Sequence, residues 1–510
     1  MSGLEERTAA AAGGALARLE AAIPALAPRG EVVRVGRVLA AADGVARVGG
    51  LEGAALGELL DVAGVPARVE SLTGEELRVV LLGPAARVEA GARVRRSGRV
   101  LDVPVGEPLL GRVVDPLGRP MDGRGPLAPG RRAPVEGPSP PLSDRAPVTR
   151  PLRTGVLALD TLLPIGRGQR QLVIGDRATG KTSLCLDVLA AQGPEVVAVY
   201  VAIGQRGAQL AGSVEWLRRR GALEHGFVVA ADADAPLGLV HLAPYAACAM
   251  AEALVRAGRD VLLVLDDLTA HAHAHRALAL LLGRPVGREA FPVDVFYAHA
   301  RLLERAAQLA RRRGGGSLTA LPVVETQGGD LTDYIPTNLI SITDGQVRLD
   351  ASLVASAQLP AVDVGLSVSR VGGKAQPPAL KRLAGPLKND YAQFLELEIF
   401  TRLGTHMEPE TQRVIERGRR IREALKQDLG APLSWSGTVL RVGLLQSAEV
   451  LAVPIPALRQ ALRAAVTAAY REDPDAAAAL EEGKDLTPDR LEALLRVGRQ
   501  ALALAGGGRA

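Results

Sequence analysis

Aromatic residues are scarce in this 510-residue chain, 3% in all, and none falls between residues 31 and 97. Proteins that hold single-stranded nucleic acid without sequence preference stack bases on aromatic rings, so that stretch offers no such platform. Cysteine is scarcer still. Cys185 and Cys248 lie in apolar, helix-like contexts without metal-ligand spacing. That excludes a disulfide framework and a cysteine metal cluster, and it fits buried thiols in a reducing compartment. No run of 18 uncharged apolar residues occurs, so no stretch reads as a membrane span. An excess of either charge is nearly absent too. The 61 Lys and Arg stand against 56 Asp and Glu, a net +5 that does not by itself argue for nucleic acid. The opening MSGLEERTAAAAGG has neither the basic-then-apolar order of a secretory signal nor the Arg-rich, acid-poor bias of a transit peptide. The expectation is a cytoplasmic protein from a bacterium.

Apolar residues are plentiful, 47% of the chain, and the length accommodates about two to four domains. Residues 1–28 read as an N-terminal helical segment, with Ala and Leu periodicity over 4–24 closed by Pro28-Arg29-Gly30. From 29 to 97, short alternating runs such as VVRVGRVL, LRVVLL and ARVRRSG are broken by Gly, Asp and Pro, the pattern of a small β-barrel. From 98 to 378, Pro- and Gly-rich turns give way to buried strands alternating with helices, which predicts an α/β domain with a mostly parallel sheet. The strand candidates are 171–174, 196–203, 227–230, 261–265, 321–325 and 338–342. From 379 to 510 the β signal fades. Helical periodicity over 411–427 and 489–505 predicts a helical bundle, with Gly506-Gly507-Gly508 fraying at its end.

The most informative stretch follows the apolar run Gln171–Ile174. Residues 175–182 read GDRATGKT, the spacing of a phosphate-binding loop. Gly175 and Gly180 allow tight turning and present backbone N–H groups to phosphate oxygens. Asp176, Arg177, Ala178 and Thr179 span the loop, Lys181 brings a point charge to the outer phosphates, and Thr182 offers a hydroxyl to Mg²⁺. Ser183 opens a helix-forming segment whose N-terminal dipole favours anions. Val261–Leu265 is a buried-strand run ending in Asp266 and Asp267. Carboxylates at the C-terminal end of a parallel strand face the ligand side of such sheets, and Asp266 is the candidate Mg²⁺-side group. The implied ligands are ATP or ADP with Mg²⁺.

Ordered blocks across almost the whole chain narrow this further. They include LLGRVVDPLGRPMDGRGPL at 109–127, PIGRGQRQLVIGDRATGKTSL at 164–184, YVAIGQ at 200–205, IPTNLISITDGQ at 335–346 and VGLSVSRVGGKAQ at 364–376. On these the chain resembles the α subunits of the F-type ATP synthases. The resemblance implies a β-barrel, a RecA-like nucleotide-binding domain and a C-terminal helical bundle. It implies an alternating hexamer with three β subunits around a γ shaft, a peripheral stalk, and coupling to a membrane sector moving protons or sodium ions. It also implies a peripheral location on the cytoplasmic face of the bacterial inner membrane, with no nucleic-acid partner.

Within the family pattern, Gln205 stands where hydrolytic members have a glutamate. A neutral amide cannot take a proton from water at pH 7, so the chain's own site is expected to bind nucleotide and hydrolyse it poorly. Arg370, in SVSR at 367–370, matches the family's arginine finger, which acts in trans on the neighbouring β site; read alone, it is one arginine among many. Gln427 is the surviving one of two glutamines usual near the base. Leu429 replaces the other, Ala178 stands for the usual loop glutamine and Leu359 for the usual arginine, and the run after Gln205 also drifts. Adenine is therefore expected to be held mainly by stacking and apolar contact, in a divergent or second-copy α subunit.

Other features read plainly. His271, His273 and His275 form an HAHAHR run without interleaved Cys or carboxylate, read as a solvated helix face. Arg311–Arg313 read as a mobile basic loop, Arg218–Arg220 as a helix end favoured by the dipole, and Trp216 and Trp435 as packing residues. The rivals are a hexameric RNA translocase of the transcription-termination type, which the basic pI of 9.4 fits loosely, and a protein-export ATPase. Gln205 argues against both as autonomous motors.

Overall fold

The computed structural model describes residues 35–74, 76–128, 130–401 and 408–507. The helix expected over 4–24, and Gly508, lie outside them. Six antiparallel strands come first: β1 (Val35–Ala42), β2 (Val45–Gly49), β3 (Glu58–Val62), β4 (Val65–Thr73), β5 (Glu76–Leu81) and β6 (Arg93–Val100). They close into a barrel in the order β1-β2-β5-β4-β3-β6. Alternation explains the closure. Val38, Val48, Leu60, Val62, Val69, Val79 and Val94 point inward and are buried, while their neighbours face out. The sixth strand extends three residues past position 97.

The central domain is built on an eight-stranded sheet. Its strands are β7 (Val113–Val114), β8 (Leu172–Asp176), β9 (Val196–Gln205), β10 (Gly226–Asp232), β11 (Asp260–Asp266), β12 (Ser317–Thr326), β13 (Gly345–Leu349) and β14 (Val368–Ser369). The order is β14-β13-β8-β12-β11-β9-β10-β7. All neighbours run parallel except the β13–β14 edge pair. Near-continuous burial along β9, β11 and β12 is what a sheet covered by helices on both faces requires.

One strand expectation fails. Residues 338–342 end a helix, Tyr334–Ile342, and the strand is the following Gly345–Leu349. Asp333 precedes that helix, and Pro336 sits in its first turn, where a missing N–H costs nothing. The apolar run NLISI is the helix's packing face, which periodicity over so few residues cannot separate from a strand.

The longer helices of this domain are α1 (Lys181–Ala190), α2 (Gly207–Arg219), α3 (Leu237–Arg256), α4 (Leu268–Leu281), α5 (Val295–Leu303) and α6 (Tyr334–Ile342). By length and composition α3 would pass for a membrane span, but its most apolar 18-residue window is 89% buried inside the protein. It is a core helix. Cys185 and Cys248 are both buried and unpaired; burial pushes the Cys248 thiol up to about 12.

Beyond residue 378 the described regular elements are helical: α7 (Pro378–Thr401), α8 (Pro409–Leu425), α9 (Trp435–Leu445), α10 (Leu458–Glu472), α11 (Pro474–Glu481) and α12 (Pro488–Gly507). Gly506 and Gly507 belong to the last helix rather than fraying from it. Helices α7 and α8 cross closely at Gly418, where a Cβ would meet Phe394 Cγ at 2.0 Å. Trp216 and Trp435 pack against the core as expected.

Two expectations about charged runs are corrected. Arg311–Arg313 form a 3-10 turn, with Arg312 bonded to the Ser143 carbonyl and Arg313 to Asp144 at 2.8 Å. The HAHAHR run is not a solvated face. His271 and His275 are buried and only His273 is exposed. Their rings stack on His241 of α3, at 4.8 and 5.0 Å between centroids. His271 Nδ1 lies 3.3 Å from His299 Nε2, and Asn338 lies 3.1 Å from His299 Nδ1. The run was misread because alternate residues on a helix do not share a face. At i and i+4, His271 and His275 line the α4 stripe that meets α3 and α5.

Burial, reinforced by neighbouring histidines, holds His241 and His271 well below the ordinary imidazole value; Arg68 and Arg284 add to this at His241, and burial takes His299 down to about 3. These rings are neutral in the fold. Unfolded, they titrate near 6.5, so the unfolded chain binds more protons below that pH. Their contribution is complete above about pH 6.5 and is lost as pH falls toward 3, by about 1.4 kcal/mol per pH unit for each ring. Denaturant midpoints between pH 7 and 5 should fall, and His241→Phe should flatten that slope. An unchanged slope would contradict the account.

Candidate functional site

The phosphate loop joins β8 to α1 at the C-terminal edge of the sheet. Gly175 has no room for a side chain, since a Cβ would lie 2.5 Å from the Leu349 carbonyl oxygen. Gly180 takes a φ of 94° as it caps α1, and Ala178 a φ of 62°. Lys181 is nearly buried and folds back over the loop, its Nζ donating to the Gly175 and Asp176 carbonyls at 2.9 and 2.7 Å. Burial draws its pKa down, against the opposing pull of Glu325, Asp267, Asp266 and Asp176. The Asp176 carboxylate turns away from the loop's mouth to accept from Thr326 Oγ1 and Gly329 N. Thr179 closes the loop on the Asp176 carbonyl, and Arg177 is exposed.

Asp266, 3% exposed at the end of β11, receives three donors on one oxygen. These are Thr182 Oγ1 at 2.8 Å, Tyr200 OH at 2.9 Å and Gln205 Nε2 at 2.8 Å. Burial raises its pKa and those hydrogen bonds oppose the rise. The Thr182 hydroxyl and Asp266 carboxylate form an oxygen pair suited to a hard cation that keeps several waters, as Mg²⁺ does. The glycine cradle, Lys181 and this pair fit a Mg-nucleotide. Asp267 is turned elsewhere. It caps α4 by accepting from Ala270 N at 2.7 Å, and burial lifts its pKa to about 6.

Tyr200 escaped the sequence reading. It is the aromatic in the aliphatic run of β9, but strand alternation puts it on the opposite face from Gln205, five residues on. A bulge between Ile203 and Gln205, with Gly204 at φ 66°, swings Gln205 back onto Tyr200's side of the sheet.

Beside the loop opens a cavity of about 530 Å³ whose lining includes Ala178, Ser183, Leu359, Gln427 and Leu429. Ala178, Leu359 and Leu429, three of the positions expected to depart from the α-subunit pattern, therefore meet in one place. Gln427 reaches the cavity wall from beyond α8, but its amide is engaged by backbone: Nε2 donates to the Gly155 and Ala431 carbonyls, and Oε1 accepts from Leu157 N. Arg370 lies apart from this cluster. It follows edge strand β14 and is exposed, its backbone N held by the Asp344 carbonyl at 2.9 Å.

Tyr200→Phe removes one of the three donors to a buried carboxylate. The expected loss is about 1 kcal/mol of stability, read as a lower denaturant midpoint. An unchanged midpoint would assign the Tyr200 hydroxyl no part in holding Asp266.

Comparison with known proteins agrees with this geometry. Residues 155–369 match the ATP synthase alpha/beta family, nucleotide-binding domain, and residues 376–501 match the ATP synthase alpha/beta chain, C terminal domain. ATP synthase subunit alpha 2 of Albidiferax ferrireducens is 50% identical over 490 residues, covering 95% of this chain and 90% of that one. Subunit alpha 2 of Syntrophotalea carbinolica is 50% identical over 487 residues, 94% and 92% of the two chains. ATP synthase subunit alpha of Caldanaerobacter subterraneus subsp. tengcongensis is 46% identical over 466 residues, 91% and 92%. With full-length relatives at this identity and both domains matched, the chain belongs to the ATP synthase alpha/beta family, among its alpha subunits.

Proposed function

We propose that the chain is the nucleotide-binding but non-catalytic α subunit of a rotary ATP synthase, assembled alternately with three β subunits around a γ shaft and carried peripherally on the membrane. The observation that carries this is the Gln205 amide lying 2.8 Å from Asp266. An amide at that strand end donates to the carboxylate and has no capacity to accept a proton from an attacking water. Mg²⁺ would be held on the Thr182 and Asp266 side and would neutralise phosphate charge. Lys181, released from the loop carbonyls, would turn to the outer phosphates, with the loop N–H groups positioning them.

Arg370 is proposed to act in trans on the β subunit's site. Support comes from its place at an exposed sheet edge, next to an antiparallel strand pair. Among the described residues no ion pair is recorded for its side chain. Its backbone anchor, Asp344, is itself fixed by Arg170 at 2.9 Å, so a rigid base carries an uncommitted guanidinium. That forked, permanent cation suits charge developing on a transferring phosphoryl group. Through such contacts the subunit would couple ATP synthesis or hydrolysis to proton or sodium transport. Two of the relatives above carry the designation alpha 2, which favours an additional ATPase copy.

The isolated chain is expected to bind Mg-ATP with little turnover, and Gln205→Glu alone should not restore it, since no trans-acting arginine is present. Steady-state turnover near that of a complete motor would sink the non-catalytic reading.

Arg370→Ala should assemble with β and γ yet lose most multisite hydrolysis, in the range of about 10³–10⁵ for an arginine finger. Nucleotide binding to β should fall far less, because the contact matters most as charge develops. Reconstitution followed by hydrolysis kinetics tests this. A loss below about tenfold with assembly intact would assign the role to another cation.

A further inference from the structure

We infer that the cavity beside the phosphate loop takes purine nucleotides by size and apolar contact and does not distinguish adenine from guanine. The inference rests on the reading of the loop as a nucleotide site and concerns what that site selects. The cavity, about 530 Å³, is walled by Val156, Leu349, Val354, Leu359, Pro360 and Leu429. These side chains can cover the faces of a bicyclic base but cannot read its edge.

Adenine and guanine differ at that edge. One presents an amino donor beside a ring acceptor, the other a carbonyl acceptor beside a ring donor. A site separates them strongly only through fixed, unclaimed hydrogen-bonding groups. Most polar side chains in this lining already have partners within the protein. Gln427 bonds the Gly155 and Ala431 carbonyls and Leu157 N, at 2.6, 2.7 and 3.0 Å. Asp187 accepts from Gly430 N at 2.8 Å. Lys426 pairs with Glu423 at 2.7 Å, and Arg459 bridges to Asp428 at 3.1 Å. Thr179 bonds the Asp176 carbonyl at 2.8 Å, and Ser183 lies in the first turn of α1, at the phosphate end. Gln358 keeps a buried, unpartnered Oε1, but it lies outside the lining and its amide donates to the Arg422 carbonyl.

Gln427 decides the matter. By residue type it is the natural reader of a base edge. Turning it toward a ligand would break three contacts and leave the Leu157 N–H and the Ala431 carbonyl unpaired, while the Gly155 carbonyl would keep only Leu433 N. The residue joins the helical region to the 154–157 loop instead of reading the base.

The test uses the full-length chain with Mg²⁺ and a ribose-labelled fluorescent ATP, displaced by ATP, GTP or inorganic tripolyphosphate. ATP and GTP should displace the probe with Kd values within about tenfold of each other, both tighter than tripolyphosphate. A preference above about tenfold in either direction overturns the inference. So does displacement by tripolyphosphate as tight as by either nucleotide, since the cavity would then hold no base. Failure of the probe itself to bind would instead remove the nucleotide-site reading beneath it. As a second arm, Gln427→Ala should change both affinities by the same factor. A shift of the ATP-to-GTP ratio beyond about threefold would make its amide a base reader and overturn the inference.

Discussion

A single buried carboxylate organises the nucleotide-binding domain. Asp266 ends the most deeply buried strand of the sheet, and an ionised group there is tolerable only if every approach to it is a donor. Two elements supply those three donors: α1 through Thr182, and β9 through Tyr200 and Gln205. The phosphate loop, the central strand and its neighbour are thereby fixed to one oxygen. The placement of the loop beside the sheet follows from how that charge is satisfied.

The same economy governs the cavity next to it. The helical region after residue 378 does not merely follow the sheet domain; it supplies one wall of the pocket and latches it through Gln427. Polar residues that would be readers in isolation are instead the ties between α1, the 154–157 loop and the α8–α9 connection. Val156, Leu349, Val354, Leu359, Pro360 and Leu429 make the apolar part of the wall. A pocket built this way binds by shape, while its polar groups hold the domains in register.

The histidines illustrate burial in the opposite sense. At Asp266 burial raises the pKa and the three donors oppose that rise. His241, His271 and His299 stay neutral because burial disfavours their charged forms, with the neighbouring rings and, at His241, Arg68 and Arg284 adding to it, and the tightly packed junction leaves two ring nitrogens without partners. The joint between α3, α4 and α5 is thus stable while protons are scarce.

Much of this was legible in the order of residues. The loop GDRATGKT, the run ending at Asp266 and the alternation of 35–100 follow from local rules: glycine where a side chain would clash, continuous apolar runs where both sheet faces are covered, period two where one face is. The residue types at 205 and 370 are what the proposed non-catalytic role rests on. What local pattern misjudged were matters of facing. NLISI was short enough to suit either period, and the helix won because Asp333 and Pro336 start one. The HAHAHR run looked polar and hence solvated, although i, i+4 geometry turned two of its rings into the core. Gln205 reached Tyr200 and Asp266 only through a bulge at Gly204. Gln427 proved a latch because its backbone partners lie about 270 residues away. The sequence by itself determined which groups exist and which elements they ride on. Tertiary structure alone decided which way each points and whether its hydrogen-bonding capacity is already taken, because both depend on chain segments far apart that meet only in the folded core.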